Sequence, residues 1–202
     1  MYAARTASQA GFSGLGLWKL ATALLLFALI PFVAMAAPVA DEDRAPLDLR
    51  RTTIVVGDTE RSLAFYRDAL GMKVIYDQAV NTPRDASSVE EAEVARRLVF
   101  LRANDDYIGV LGLLEYIKPR KEIVNLEGRA FDQGTTVLVL NHTDAAAAFE
   151  RAKQVEGVVV LSEPSETEYP SYDGKSVIRV LVSVVQDPDG IAVEINQVLE
   201  GL

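Results

Sequence analysis

The clearest pattern of hydrophobic and polar residues lies near the carboxyl end of the sequence. Residues 180–185 are a mostly apolar, β-branched run, whereas residues 191–196 alternate between apolar and polar side chains. Both patterns are typical of β-strands, and the Asp-Pro-Asp-Gly sequence at 187–190 supplies the proline and glycine of a tight turn. These features predict a β-hairpin. In its second strand, alternation places Glu194 and Asn196 together on the face opposite the large apolar residues.

Two parts of the chain repeat one order of elements. Residues 53–56 form a short apolar strand pattern that a helical pattern follows, and residues 137–140 begin the same order again. When these strands are superposed, the Ala-Phe pair at 64–65 coincides with the Ala-Phe pair at 148–149. Further strand patterns follow each helix. The sequence therefore predicts an α+β domain built by duplication of a βαβββ unit.

The amino-terminal residues do not share this pattern. Residues 20–33 are almost wholly apolar, follow the basic residues Arg5 and Lys19, and precede an Ala-Met-Ala sequence. This order is typical of a secretory signal peptide. An uncleaved membrane anchor is the alternative, although a span needs about 20 apolar residues and this stretch is shorter. The predicted divisions are a signal peptide (or anchor) at 1–36, a linker at 37–49, and a single domain at 50–198 made of repeats 50–118 and 134–198.

The composition excludes several classes of function. A formal net charge of −9 argues against nucleic acid and anionic membrane surfaces as partners. The chain has no cysteine, which excludes disulfides and thiolate chemistry, and its one histidine, His142, excludes a His-rich metal site within one chain. His142 falls in a predicted strand-to-helix turn, where we expect no site. We expect a periplasmic protein, or one that contacts the membrane only through an uncleaved amino-terminal segment.

Two stretches of the sequence resemble one protein family. Residues 53–72 are similar to the opening strand and helix of the vicinal oxygen chelate superfamily, and residues 187–190 with Glu194 are similar to its closing hairpin. This superfamily includes glyoxalase I, bleomycin-resistance proteins and extradiol dioxygenases. The resemblance covers residues 50–197 and implies two tandem βαβββ units that form a cup-like, incompletely closed barrel. It also implies a small-molecule ligand inside the cup and a homodimer.

The resemblance implies metal ligands from the first and last strands of each unit. These four positions fall on Arg51, Thr135, Gly109 and Glu194, of which only Glu194 is a plausible ligand. Because a catalytic divalent site usually needs about three protein ligands, we expect no metal and no other cofactor. The guanidinium of Arg51 repels a cation and suits a carboxylate. We therefore predict that Arg51 and Glu194 face one cup and pair, within one chain or across a subunit boundary; the alternative places Arg51 in solvent beside Arg50.

Strand alternation adds further candidate ligand-binding residues. Thr53 shares the face of Arg51, and Thr135 and Asn196 are expected to face the cup in the second unit. Tyr107 is a weaker candidate, at the start of a strand predicted over residues 107–114. None of these residues is expected to act as a nucleophile, because no nucleophile and base are paired in the sequence.

These residues leave more than one function open. The first is a metal-free cup that binds a small organic molecule, in which Arg51 anchors an anionic or carbonyl group. The second is a lyase or isomerase of glyoxalase type, with or without a divalent metal, in which Glu194 removes a proton beside a carbonyl. A neighbouring arginine lowers the pKa of a carboxylate and so weakens it as a base, which favours the binding function. A purely structural role in association would need neither residue.

Overall fold

Two four-stranded sheets with the same strand order carry the fold. The computed structural model describes residues 40–172 and 174–201. The first sheet has the order β1-β4-β3-β2 and the second the order β5-β8-β7-β6; in each, the first two strands run parallel and the others antiparallel. The strands are β1 (Arg51–Val56), β2 (Lys73–Thr82), β3 (Val94–Arg102), β4 (Val110–Lys118), β5 (Val137–Asn141), β6 (Val159–Pro170), β7 (Val177–Gln186) and β8 (Ala192–Glu200). The predicted tandem βαβββ units are confirmed, and the two sheets do not close into one barrel.

Each unit has one helical region between its first and second strands. In the first unit, α1 (Thr59–Leu63) begins at Asp58, whose side chain accepts the backbone N–H of Arg61 and caps the helix. A wider π-helical turn, Ala64–Ala69, continues α1 and buries two adjacent aromatic residues. In the second unit, α2 (Ala145–Ala152) begins at Asp144, whose side chain accepts the N–H of Ala147. An aspartate side chain therefore caps the start of each helix.

One hydrophobic core joins both units. Alternate residues of β1, such as Ile54 and Val56, are buried, and so are Val193 and Ile195 of β8. These side chains belong to one cluster with the buried aromatic and aliphatic residues of both helical regions, Phe65 among them. Each sheet thus has a helix face in the core and an opposite face, which we call the open face.

The turn between β7 and β8 ties the second unit to the first. The hydroxyl of Tyr66 donates to Asp187 Oδ2 over 2.7 Å, in a fully buried contact. Asp189 accepts the backbone N–H of Gly57 (2.8 Å) and the hydroxyl of Ser62 (2.9 Å), and forms an ion pair with Arg61. The two stretches that carry the family resemblance therefore contact one another, and the Asp-Pro-Asp-Gly sequence joins the units.

Three candidate residues lie before the strands that were expected to carry them. β4 begins at Val110, so Tyr107 and Gly109 precede it, and β5 begins at Val137, so Thr135 precedes it. The connection between the units, residues 119–134, lies against the turn after β7.

The predicted signal peptide lies outside the described residues. No helix in residues 40–172 or 174–201 has the length and apolar composition needed to traverse a bilayer.

Candidate functional site

The open face of the first sheet carries an arginine held in a fixed position. Arg51 and Thr53 alternate along β1, and the Nε of Arg51 donates to Thr53 Oγ1 over 3.1 Å. Thr53 is paired in register with Gly112 of β4. A Cβ at Gly112 would lie 2.6 Å from Thr53 Oγ1 and 3.3 Å from Arg51 Cδ. The glycine therefore leaves the space through which the arginine side chain passes.

Two aromatic rings lie beside Thr53 and Gly112 on neighbouring strands of the sheet. Phe100 of β3 pairs in register with Gly112 on one side and with Tyr76 of β2 on the other. The rings of Tyr76 and Phe100 stack with centroids 4.7 Å apart. On the other face of Phe100, the Cζ of Arg51 lies 4.0 Å from the ring centroid. Because Gly112 has no side chain, the guanidinium reaches across β4 and makes a cation–π contact.

The terminal nitrogens of Arg51 are free to bind a ligand. Within the described part of the chain, neither Nη atom has a hydrogen-bond or ion-pair partner, and neither is among the buried unpaired polar atoms. Arg51 is half-buried and Thr53 is exposed. A guanidinium that is stacked on one face and fixed at Nε presents two N–H groups in a plane, which is the geometry that a carboxylate accepts.

The open face of the second sheet carries an acid and an amide. Glu194 of β8 pairs in register with Val139 of β5, and the Nδ2 of Asn196 donates to Glu194 Oε2 over 3.2 Å. The orientation predicted for Glu194 and Asn196 agrees with this contact. Farther along the same face, Gln186 is buried and donates from Nε2 to the carbonyl of Leu126. The connection between the units therefore covers one end of this face.

Arg51 and Glu194 lie on different sheets and do not pair in one chain. Arg51 and Val139 both line a cavity of about 170 Å³ between the β1 and β5 strands. Val139 is the register partner of Glu194. None of the ion pairs among the described residues joins Arg51 to Glu194. The predicted direct pair is therefore wrong for the single chain, because Arg51 lies against Phe100 instead.

Two other predicted ligand-binding residues have different positions from those expected. The hydroxyl of Thr135 donates to the backbone carbonyls of Ala130 and Asp132, so it closes a turn ahead of β5 instead of facing the cup. Tyr107 lies in the exposed turn before β4, where the Cζ of Arg50 is 4.6 Å from its ring centroid. Neither residue belongs to the open face. His142 lies in the turn between β5 and α2, as predicted.

The residues of this chain do not fit the divalent metal that the fold family implies. In the first unit, Leu114 pairs in register with Val55; in the second, Glu194 pairs with Val139. Leu114 is therefore the counterpart of Glu194. The sequence-based assignment of this position to Gly109 is wrong. Leucine cannot ligate a metal, and Arg51 would repel one. Residues 40–172 and 174–201 contain no group of three or more His, Cys, Asp or Glu that could hold a metal ion.

Sequence reasoning missed three residues of this site: Tyr76, Phe100 and Gly112. Both aromatic residues lie in strands recognisable from the sequence, but their alignment with Arg51 depends on the registers of three strand pairs. An irregular register between Val74 and Tyr76 shifts the position of the tyrosine relative to simple alternation. The signal available in the sequence was the isolated Gly112 inside an apolar strand, which marks a close approach.

Several solved structures resemble this chain. A glyoxalase family protein from Bacillus cereus has a TM-score of 0.60 at 12% sequence identity, over 80% of this chain and 100% of that one, which shows a shared fold. The trypanothione-dependent glyoxalase I of Leishmania major has a TM-score of 0.48 at 22% identity, over 75% of this chain and 86% of that one. An antibiotic-binding protein from Streptomyces has a TM-score of 0.46 at 19% identity, over 77% and 98%.

The sequence itself gives the family assignment. No curated protein matches the chain. The model of the glyoxalase, bleomycin-resistance protein and dioxygenase superfamily matches residues 48–195, which is most of the chain and includes both βαβββ units. The chain therefore belongs to the Glyoxalase/Bleomycin resistance protein/Dioxygenase superfamily.

Proposed function

We propose that this protein binds a small organic carboxylate on the open face of its first sheet, without a divalent metal. The observation that carries the proposal is the position of Arg51. Where the family resemblance calls for a metal ligand, the chain has a guanidinium that is fixed by Thr53 and stacked on Phe100. Its two Nη atoms are left without a protein partner in the described part of the chain.

The arrangement lowers the cost of binding an anion. An arginine that is free in solution loses rotamer entropy when a ligand fixes it, at about 0.5–1.5 kcal/mol for a side chain of this kind. Arg51 already has its Nε bonded and its plane stacked, so much of that entropy is lost before the ligand arrives. A bidentate carboxylate then gains two charge-assisted hydrogen bonds. A single guanidinium also matches the single charge of a carboxylate better than the higher charge of a phosphate.

The binding experiment compares two adjacent arginines. Benzoate is titrated into the protein by calorimetry, with Arg51→Gln as the test variant. Arg50→Gln is its matched control, because the guanidinium of Arg50 lies over the exposed ring of Tyr107 and not over Phe100. Loss of the charge-assisted contacts, about 1.5–3 kcal/mol, should weaken benzoate roughly 10- to 100-fold in Arg51→Gln. Arg50→Gln should bind as the native protein does. Equal affinities in all three proteins, or elemental analysis that finds one divalent metal per chain, would refute the proposal.

We also propose that the domain acts in the periplasm as a homodimer. Support for export comes from the order of basic, apolar and small residues in positions 1–36, and support for the dimer comes from the family resemblance alone. Cell fractionation with amino-terminal sequencing of the mature chain tests cleavage, and retention of residue 1 on membrane-bound protein would favour the anchored alternative. Light scattering at micromolar concentration tests the dimer.

One observation favours an enzymatic alternative in which Glu194 is a general base. Its Oε2 accepts from Asn196, while its Oε1 has no hydrogen-bond partner among the described residues. A carboxylate oxygen that is free on an open face can accept a proton from a substrate. Turnover of a dicarbonyl–thiol adduct that is lost in Glu194→Gln, with benzoate affinity retained, would support the lyase or isomerase; absence of turnover in the native protein would remove it.

A further inference from the structure

We propose that the ligand is an elongated amphipathic monocarboxylate, whose apolar end occupies a separate cavity at the far end of β1. This inference rests on the proposed function, since Arg51 fixes the carboxylate end. It adds the length and the polarity of the rest of the molecule, and it assigns a role to the connection between the two units.

An open track leads from Arg51 along β1. Arg51, Thr53 and Val55 alternate on the open face, and both Thr53 and Val55 are exposed, the latter by 56%. At about 3.3 Å per residue, Val55 lies roughly 13 Å from Arg51 along the strand. An apolar strand residue with more than half of its surface in water offers a contact to an apolar ligand. The track therefore changes from cationic to apolar with distance from Arg51.

The track ends in the cavity at the carboxyl end of β1. This cavity has a volume of about 230 Å³, and Val55 is one of its walls, together with Tyr116 on the open face of β4 and Ile191 after the turn. A cavity of about 150 Å³ is enough to hold benzene. The volume therefore suits a phenyl ring or a short alkyl group. The cavity walls combine the apolar side chains with the charged residues Arg120, Lys121, Glu122 and Asp189.

The connection between the units forms the opposite wall. Ile123 and Val124 line this cavity and are themselves largely exposed to solvent. Leu126 holds the connection against the turn. Its carbonyl accepts a hydrogen bond from Gln186, and its side chain packs directly against Gly190, where an added Cβ would clash with it. A ligand between Val55 and Val124 would remove apolar surface of the protein and of the ligand from water at once.

The test is a series of carboxylates of increasing length. Phenylacetate, phenylbutanoate, phenylhexanoate and phenyloctanoate are titrated into the native domain, with benzoate as the short reference. Affinity should rise about two- to fourfold for each methylene that becomes buried, and then level off once the ring fills the cavity. At high ionic strength, which screens the added charge, Val55→Asp should abolish this dependence on length and leave benzoate binding within about twofold of the native affinity. Val177→Asp is the matched control, because Val177 is an equally exposed strand residue (51%) outside this cavity.

The outcomes separate this inference from the proposed function. Benzoate that binds through Arg51, with no change of affinity as the carboxylates lengthen, would refute the elongated ligand and leave the carboxylate site standing. The same conclusion follows if Val55→Asp and Val177→Asp reduce the dependence of affinity on length equally. If benzoate does not bind at all, the proposed function fails as well. Val124→Asp provides a second approach from the opposite wall, and it should act as Val55→Asp does.

Discussion

The two units share a backbone plan, but their open faces have opposite chemistry. The first unit has the cation Arg51 beside aromatic rings and an exposed strand surface. The second has the acid Glu194 beside Asn196, and the connection between the units covers part of its face at Gln186. The helix faces of both sheets, in contrast, supply the apolar residues of one shared core. Duplication therefore constrains the packed face of each unit and leaves the open face free to diverge.

The turns that precede the last strand of each unit differ in how deeply they are buried and in how many contacts they make. In the second unit, Asp189 is only 10% exposed and contacts three groups of the first unit. In the first unit, Asp106 forms a surface ion pair with Arg102, and 76% of its side chain is exposed. We therefore expect the two turns to contribute unequally to stability, and substitutions in both can measure the difference.

The largest effect is expected from Asp189→Ala. The change removes an acceptor from the backbone N–H of Gly57, the hydroxyl of Ser62 and the guanidinium of Arg61, and should lower the free energy of unfolding by about 2–4 kcal/mol. Asp106→Ala, in the turn before the last strand of the first unit, should change stability by less than about 0.5 kcal/mol. Urea unfolding followed by circular dichroism measures both. Similar losses for the two variants would contradict the claim that only the second turn joins the units.

A smaller effect depends on pH and comes from Asp187. Burial raises the pKa of this carboxyl to about 6, while the Tyr66 hydroxyl and the Ile191 N–H oppose the rise. Because the folded pKa lies above the ordinary value of 3.8, the folded state holds the proton more tightly. Ionised Asp187 therefore costs stability above about pH 6, and protonation relieves that cost as the pH falls from about 6 to about 4.

Comparison with Asp187→Asn isolates the contribution of Asp187 ionisation to the free energy of unfolding. The free energy of unfolding of the native protein relative to the variant should rise by roughly 2–3 kcal/mol as the pH falls from about 6 to about 4. Other acids titrate in both proteins and cancel in the difference. A difference that stays constant between pH 4 and pH 7 would show that Asp187 keeps its ordinary pKa.

A third prediction concerns the space at Gly112. In Gly112→Ala the added Cβ meets Thr53 Oγ1 at 2.6 Å, so Thr53 and Arg51 must move and benzoate should bind about tenfold more weakly. The control is Ala192→Gly in the second unit, where Ala192 pairs with Val137 as Gly112 pairs with Thr53. That variant should bind benzoate within about twofold of the native protein. Unchanged binding in Gly112→Ala would mean that the arginine does not need this passage.

The smallest effect is expected from Glu194→Gln. Glu194 lies on the second sheet and forms no ion pair with Arg51 among the described residues, so we expect its negative charge to repel an incoming carboxylate only weakly, through solvent. Its removal should strengthen benzoate binding about twofold at low ionic strength, and the gain should vanish in high salt. A large loss of affinity would instead mean that Glu194 contacts the ligand directly.

The sequence predicted the features that depend on local periodicity. The alternation around Glu194, the turn at residues 187–190 and the repeat of strand and helix all follow from neighbouring residues, and the fold confirms them. The starts of β4 and β5 were less predictable, since Thr135 and Tyr107 continue the local pattern but are drawn into turns by their own hydrogen bonds and stacking. Local pattern does not reveal where pairing with a neighbouring strand ends.

By itself, then, the sequence determined which residues face the core, which units repeat, and that an arginine stands where relatives would ligate a metal. Only the tertiary structure decided what that arginine does. Whether Arg51 pairs with Glu194 or stacks on Phe100 depends on the register of β1, β4 and β3, and on the missing side chain at Gly112. Contacts between distant strands are set by packing of the whole sheet, so no stretch of neighbouring residues encodes them alone.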